Sequence, residues 1–365
     1  MSGVIIRPAD RADDAAILTL VRRTPQPGRM VLNFEREPAF FDGAEVTCEQ
    51  PDVWVAQLPD GDEDVIAVFN IGYRRVFVNG EPRSIRYAHD LRIDPAWRGS
   101  LLLVRMFRKL RGILADGEWM QTVILSGNEA SMSTVGSGRA GLPTYYPDGH
   151  IDTALLFAPL RQSRSDGLLV RRATTADLPL MQEMIDTLGP RRQYFPCYDL
   201  AALRDGGRYF RGMHIGDYWL AFEGARLVAM AGLWDQKPFK QTRVLRYPRG
   251  TEWLRHGYNV WGRLLGGVTL PPSGGVIDYR SVHTLLVRDD CPLRLQALLR
   301  PMVVQARSER AALVLAFFRG DPLAAALEGF RRQLLESEHF LVSYSGDPRP
   351  SLEPARLPYI EVARL

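Results

Sequence analysis

The chain has 365 residues, long for one domain and comfortable for two. It is 46% hydrophobic and 24% charged, which excludes a disordered chain and leaves each half enough apolar residues for a core. The formal net charge of +4 suits an anionic ligand and does not single out nucleic acid as a partner; no apolar run approaches the ~20 residues that cross a bilayer.

Met1–Asp10 shows no basic-then-apolar leader, and Cys48, Cys197 and Cys291 lie too far apart for a zinc or redox motif. Reduced thiols in a cytoplasmic protein are the expectation. Gly3–Pro8 reads as a strand, followed by a helix start at Ala12-Asp13. Val53–Ala56 and Val65–Asn70 read as the arms of a hairpin. Thr24–Cys48, before them, reads as loop. Tyr87–Ile93 is a single alternating strand, with Tyr87, His89, Leu91 and Ile93 on one face and Ala88, Asp90 and Arg92 on the other. Asp94-Pro95 ends it, since proline donates nothing to a ladder. Arg98-Gly99-Ser100 then opens a helix over Leu101–Leu114, with Leu102, Leu103, Met106, Phe107 and Leu110 along one side. A glycine loop at a helix start presents unpaired N–H groups at the positive end of the helix dipole, a ready phosphate site. Gln121–Leu125 is the next strand.

The same order then recurs. Gly167–Ala173 with Ala176-Asp177 parallels the N-terminal strand and helix start. Tyr218–Ala221 and Arg226–Gly232 parallel the hairpin, and His283–Val287 parallels His89–Ile93. A helix over Leu293–Ala306 and a strand over Ala312–Phe317 follow. Two tandem domains are expected, residues 1–160 and 167–365, joined near Pro159–Gly167. The second carries a basic insertion at about 236–280, with Lys237, Lys240, Arg243, Arg246, Arg249, Arg255 and Arg263. Its helix over Thr251–Leu265 is expected to pack on the domain boundary or core. A membrane-surface helix, a lid and the arm of a homodimer are the alternatives. Tyr359–Ala363 reads as a closing strand.

Leu91-Arg-Ile-Asp-Pro-Ala-Trp-Arg-Gly99 resembles the fourth strand and pyrophosphate loop of GCN5-related N-acetyltransferases (GNAT). Pro95, Trp97, Arg98 and Gly99 match the pattern, while Leu101 and Leu103 stand where small residues are usual. The resemblance implies an α/β fold (an α+β mixed sheet) built as two tandem GNAT-like acyl-CoA N-acyltransferase domains. It implies that acetyl-CoA or another acyl-CoA binds the first domain. Main-chain groups of Leu91, Arg92 and Ile93 would hold the pantetheine arm, and Arg98, Gly99, Ser100, Leu101, Leu102 and Leu103 would cradle the pyrophosphate. Asn128, in Ser126–Ala130, matches the family's asparagine turn and would contact the arm. The family's usual tyrosine acid is missing at Thr134, Val135 and Ser137. Tyr145 and Tyr146 are its candidate substitutes, or else packing residues.

The base that takes the amine proton is sought at His89 and Asp90; a histidine titrates near neutrality. His283 recurs at the matching place, so a shared strand residue is the competing reading. The second half has Asp289-Asp290-Cys291-Pro292 in place of the glycine loop, and Phe318–Pro322 in place of the asparagine turn. Two carboxylates repel a pyrophosphate, so this half reads as degenerate, shaping or covering the acceptor site. No metal constellation, nucleophile elbow, Walker loop or dinucleotide fingerprint occurs. The leading expectation is transfer of an acetyl group to a primary amine of a small molecule or peptide, by direct attack in a ternary complex. A non-catalytic CoA-binding or scaffold protein on a degenerate GNAT fold is the first alternative. An aminoacyl-tRNA-dependent transferase is the second.

Overall fold

The structure is a computed structural model. It describes all residues except 1–2, 27–29, 60–64, 129–140, 161–166, 249–251, 253–254, 258 and 261–268. The first half runs β1 (Ile5–Pro8), α1 (Asp14–Arg23), β2 (Val31–Glu35), α2 (Phe40–Thr47), β3 (Val53–Gln57), β4 (Val65–Asn70), β5 (Tyr73–Val78), β6 (Glu81–Tyr87), β7 (His89–Ile93), α3 (Leu102–Arg111), β8 (Trp119–Leu125) and β9 (Thr144–Pro159). The second runs β10 (Leu168–Arg172), α4 (Leu178–Leu188), α5 (Leu200–Arg204), β11 (Tyr218–Glu223), β12 (Arg226–Trp234), β13 (Gln241–Arg246), β14 (Tyr279–Val287), α6 (Pro292–Ser308), β15 (Ala312–Phe318) and β16 (Phe330–Ser343).

The repeat read from the sequence is present in the coordinates. β1-β3-β4-β7 pair antiparallel in that order, and so do β10-β11-β12-β14. Each half starts with the same ion pair: an arginine at the end of the first strand grips an aspartate of the following helical turn, Arg7–Asp13 at 2.7 Å and Arg171–Asp177 at 2.6 Å. Each sheet is clad on both faces. In the first half Ile17, Leu20 and Val21 of α1 and Phe40 of α2 bury the β3 and β4 face bearing Val53, Val55, Val65 and Val68. Leu102, Met106, Phe107 and Leu110 of α3 bury the opposite face, with Trp54, Ala56, Ala67 and Phe69. The alternation of these valines with Trp54 and Ala56 is the period-two pattern of a strand buried on both sides.

The halves then exchange strands. β9 pairs with β15 through Ile151–Leu156, and β16 inserts between β9 and β8. Each half's last long strand thus lies beside the other half's preceding strand, in a ten-stranded sheet ordered β10-β11-β12-β14-β15-β9-β16-β8-β6-β5. A second pairing crosses between the halves: β13, from the insertion, runs antiparallel to β2, with Arg243 on Glu35 at 2.9 Å.

Three expectations change. Thr24–Cys48 is not loop alone but contains β2 and α2. Tyr87–Ile93 is not one strand: β6 ends at Tyr87, β7 starts at His89, and β5–β6 form a hairpin about Asn79-Gly80, both at positive φ. The Tyr359–Ala363 segment is not a strand: its main chain bonds Gln193 O once, from Tyr359 N–H at 2.8 Å, and then runs as coil into a short helical turn at Val362–Arg364, while the Tyr359 and Glu361 side chains make the contacts described below. The Thr251–Leu265 helix falls largely outside the described residues.

Candidate active site at a strand splay

Tyr87 and Gln121 are the last paired residues of β6 and β8, which run parallel. Two further bonds close the fork: Ala88 N–H donates to Gln121 O at 2.8 Å, and the Thr122 hydroxyl donates to Ala88 O at 2.8 Å. Beyond them β7 pairs only with β4, and β8 only with β16. In an antiparallel ladder the main-chain bonds of alternate residues point to the partner. Asp94 N–H is bonded to Ile66 O at 2.9 Å, so Arg92 shares that side and Leu91 and Ile93 turn their main-chain groups to the gap. The gap opens a cavity of about 480 Å³.

One mouth of the cavity is the start of α3. Asp94 Oδ1 accepts from Ala96 N–H at 2.9 Å and Pro95 follows, a capped helical turn. Gly99 then reverses the chain at φ +77°. The Ser100 hydroxyl accepts from Leu102 N–H at 3.2 Å, leaving other first-turn N–H groups of α3 without an acceptor in the helix. Arg98 stays near the solvent and donates to Ile93 O at 3.2 Å.

Of the residues expected at the site, His89, Asp90, Leu91, Arg92, Ile93, Arg98, Gly99, Ser100, Leu103, Asn128 and Tyr145 line the cavity. Three do not. Leu101 is 65% exposed and points to solvent. Leu102 packs beneath the sheet with Met106 and Phe107, and its N–H is already taken by Ser100. Tyr146 faces another cluster, with the Arg349 guanidinium 5.5 Å above its ring. Adjacent residues of a strand diverge, so only Tyr145 of the pair reaches the cavity. Thr134, Val135 and Ser137 lie outside the described residues.

His89 and Asp90 depart from the expected alternation. Asp90 adopts φ +53°, a bulge that swings its carboxylate onto the imidazole side. His89 Nδ1–H donates to Asp90 Oδ2 at 3.0 Å. Arg36 holds the same carboxylate at 3.2 Å, and Cys48 Sγ lies 3.6 Å from His89 Nε2. Burial outweighs the Asp90 interaction and lowers the His89 pKa, so the ring is neutral at pH 7. Asp90 is buried too, but Arg36 and His89 hold it far below the usual carboxylate range. Burial pushes the Cys48 thiol up to about 11, where it is no nucleophile. The Tyr145 phenol is raised to about 12 by burial and stays protonated.

Arg36, Cys48, Gln26 and Thr122 belong to this site and carried no motif. Arg36 reaches Asp90 because it crosses α2 at Gly43, where an added Cβ would stand 2.1 Å from Arg36 Cδ. The signal available was the lone glycine inside Phe40–Thr47, a mark of close approach.

The matching cleft of the second half is partly filled, leaving a smaller cavity of about 190 Å³. β14 and β15 pair only at Tyr279–Ser281 and then part. His283 is fully buried; Arg364 Nη2 donates to its Nε2 at 3.0 Å. Thr284 repeats the bulge at φ +51°. Its N–H donates to Glu361 at 2.8 Å, and Leu285 N–H donates to the Tyr359 hydroxyl at 3.1 Å. The C-terminal segment thus bonds the β14 main chain at the place that corresponds to the open gap beside β7. Arg192, bonded to Asp290 and, at 2.7 Å, to Asp321, ties up the carboxylates where the glycine loop is missing.

No family model and no curated protein matches this sequence. Solved structures do. A GCN5-related N-acetyltransferase from Sphaerobacter thermophilus superposes over 100% of this chain and 99% of its own, at TM-score 0.53 and 12% identity. One from Kribbella flavida covers 94% of this chain and 71% of its own, at 0.50 and 12%. A glucosamine N-acetyltransferase region of a fungal multi-domain GH3 β-N-acetylglucosaminidase covers 93% of this chain and 38% of that one, at 0.57 and 9%. At such identities the likeness establishes the fold, and the chain has the GNAT fold.

Proposed function

On this GNAT fold we propose an acyl-CoA-dependent N-acyltransferase, with acetyl-CoA or another acyl-CoA as donor and a primary amine as acceptor. One observation carries the reading. A single cavity joins the N-terminus of α3, the gap-facing main chain of β7 and the buried His89–Asp90 pair. The residues fit the coenzyme: α3 N–H groups and Arg98 suit a pyrophosphate, and Leu91 and Ile93 offer main-chain partners to an amide-bearing arm. Leu101 does not obstruct, since its side chain points away.

The bound thioester supplies the acyl group; the chain positions it and moves protons. Asp90 holds Nδ1–H, so the base of His89 is Nε2. Its hydrogen-bond neighbour there is the buried Cys48 thiol, a weak donor that the acceptor amine must displace. His89 takes the amine proton as nitrogen attacks the thioester carbonyl. A β7 N–H stabilises the oxyanion, and protonated Tyr145 serves the departing thiolate.

The test is calorimetry with CoA and acetyl-CoA, followed by free-thiol release against a panel of amines. Binding that Arg98→Glu weakens about tenfold or more is expected, charge-assisted phosphate contacts being the stronger kind of hydrogen bond. Absence of binding by any acyl-CoA, or binding without thiol release for every amine, overturns the proposal.

A further inference from the structure

Arg92 is a cation in the cavity wall that makes no direct ion pair among the described residues; Asp90 is near enough to act on it but is bonded to Arg36 and His89. Arg92 is 7% exposed. Among the described residues its guanidinium makes one hydrogen bond, from Nη1 to Thr24 O at 3.0 Å. A guanidinium has five N–H donors, and a buried one without a counter-charge is costly. The neighbouring carboxylates are engaged elsewhere: Asp90 by Arg36 at 3.2 Å and His89, and Asp94 by Arg23 at 2.8 Å. The carbonyl end of α1, where Thr24 lies, offsets at most roughly half a charge. Arg36 and Arg98 add positive potential, and with burial they lower the Arg92 pKa against the pull of Asp90.

The position of this cation separates it from the pyrophosphate cradle. Successive residues of β7 face opposite sides of the sheet: Ile93 packs toward α3, and Arg92 reaches the end of α1. Arg92 therefore shares its side with Asp90, and His89 meets Cys48 at the end of α2 on that side as well. Thr24 and Gln26 complete this wall, and Gln26 Oε1 is a buried acceptor without a partner among the described residues. A neutral pantetheine arm does not satisfy a guanidinium. We infer that the acceptor amine also carries a carboxylate, as an amino acid does, and that Arg92 binds this carboxylate while the amine is presented to His89. Gln26 Oε1 is placed to accept a hydrogen bond from the same ligand. A polycationic amine is disfavoured by the same charge.

This inference rests on the acyltransferase reading and concerns the class of its acceptor. It is tested by calorimetry on the full chain with saturating CoA, using product analogues: N-acetylglycine, N-acetylleucine and N-acetylphenylalanine, each as free acid and as carboxamide. At least one free acid is expected to bind about tenfold or more tightly than its amide, as a charge-assisted pair does. In Arg92→Met that preference is expected to fall below about twofold, with CoA affinity unchanged, and Arg92→Lys is expected to retain part of it. Three outcomes overturn the inference alone: CoA binding with no acid preference in any pair, a preference that survives Arg92→Met, or a matching loss of CoA affinity in Arg92→Met, which would make a coenzyme phosphate the partner. Failure of CoA to bind the unmodified chain overturns the acyltransferase reading and this inference with it.

Discussion

In the proposed reaction His89 is the base, and its neighbours decide how it behaves. Its identity and its place next to a strand–loop–helix were legible in the sequence. Its partnership with Asp90 was not, because alternation puts adjacent strand residues on opposite faces and only the φ of +53° at Asp90 reverses this. His89→Gln is expected to lower kcat by roughly 100-fold or more, the usual worth of a positioned base. The direction of the pKa shift sets the pH profile. A ring held neutral by burial is the active form above its lowered pKa, so kcat at saturating amine is expected to fall on an acid limb centred below about 6.5. A limb centred above 7 would show that another group titrates. Cys48 is the second residue to question, since it touches the imidazole. With its thiol held at about 11, Cys48→Ala is expected to keep kcat within about tenfold of the unmodified chain. A larger loss in steady-state kinetics would argue for an acyl-thiol intermediate.

At the scale of elements, the site depends on how α3 is started. Asp94-Pro95, Gly99 and Ser100 are local signals, and they could be read as a helix N-terminus from the sequence because capping acts over three or four residues. Which leucine faces which way was less readable. Leu101 precedes the first helical residue, so helical periodicity does not govern it, and it turns to solvent. Gly99→Ala adds a Cβ that meets no atom within 4 Å but must adopt φ +77°. A cost of about 1–2 kcal/mol is expected from chemical denaturation. Coenzyme affinity is expected to fall as well, because the turn aims the N–H groups. Unchanged stability and affinity would mean that the loop conformation is dispensable.

Across the whole molecule, the strand exchange and the C-terminal segment bind the halves into one unit. β9 and β16 each complete the other half's sheet, and Arg364, fully buried, bonds His283 as well as Val46 O at 2.5 Å and Tyr209 O at 2.7 Å. Calorimetric unfolding is expected to show one cooperative transition, and residues 1–160 expressed alone are expected not to fold; two separable transitions would refute this. Acid sensitivity follows from His283. Burial and Arg364 depress its folded pKa below the unfolded value of about 6.5, so the unfolded chain binds the extra proton. Its contribution to stability is complete above that value and is lost as pH falls below it. A His283→Gln variant is expected to flatten the fall in melting temperature between pH 7 and about 5.

The repeated order of strands and helices and the phosphate-ready loop were determined by the sequence alone, because periodicity, proline, glycine and capping residues act over a few positions. The fusion of the sheets, the narrowing of the second cleft by Tyr359 and Glu361, and the meeting of Arg36, Cys48 and Asp90 were decided by tertiary structure. These contacts join residues far apart in the chain, and no local pattern announces which buried polar group will find which partner. The buried guanidinium of Arg92, without a direct ion pair among the described residues, is of the same kind. In the sequence it is one arginine among many, and its lack of a direct ion pair appears only when every neighbouring carboxylate has been placed.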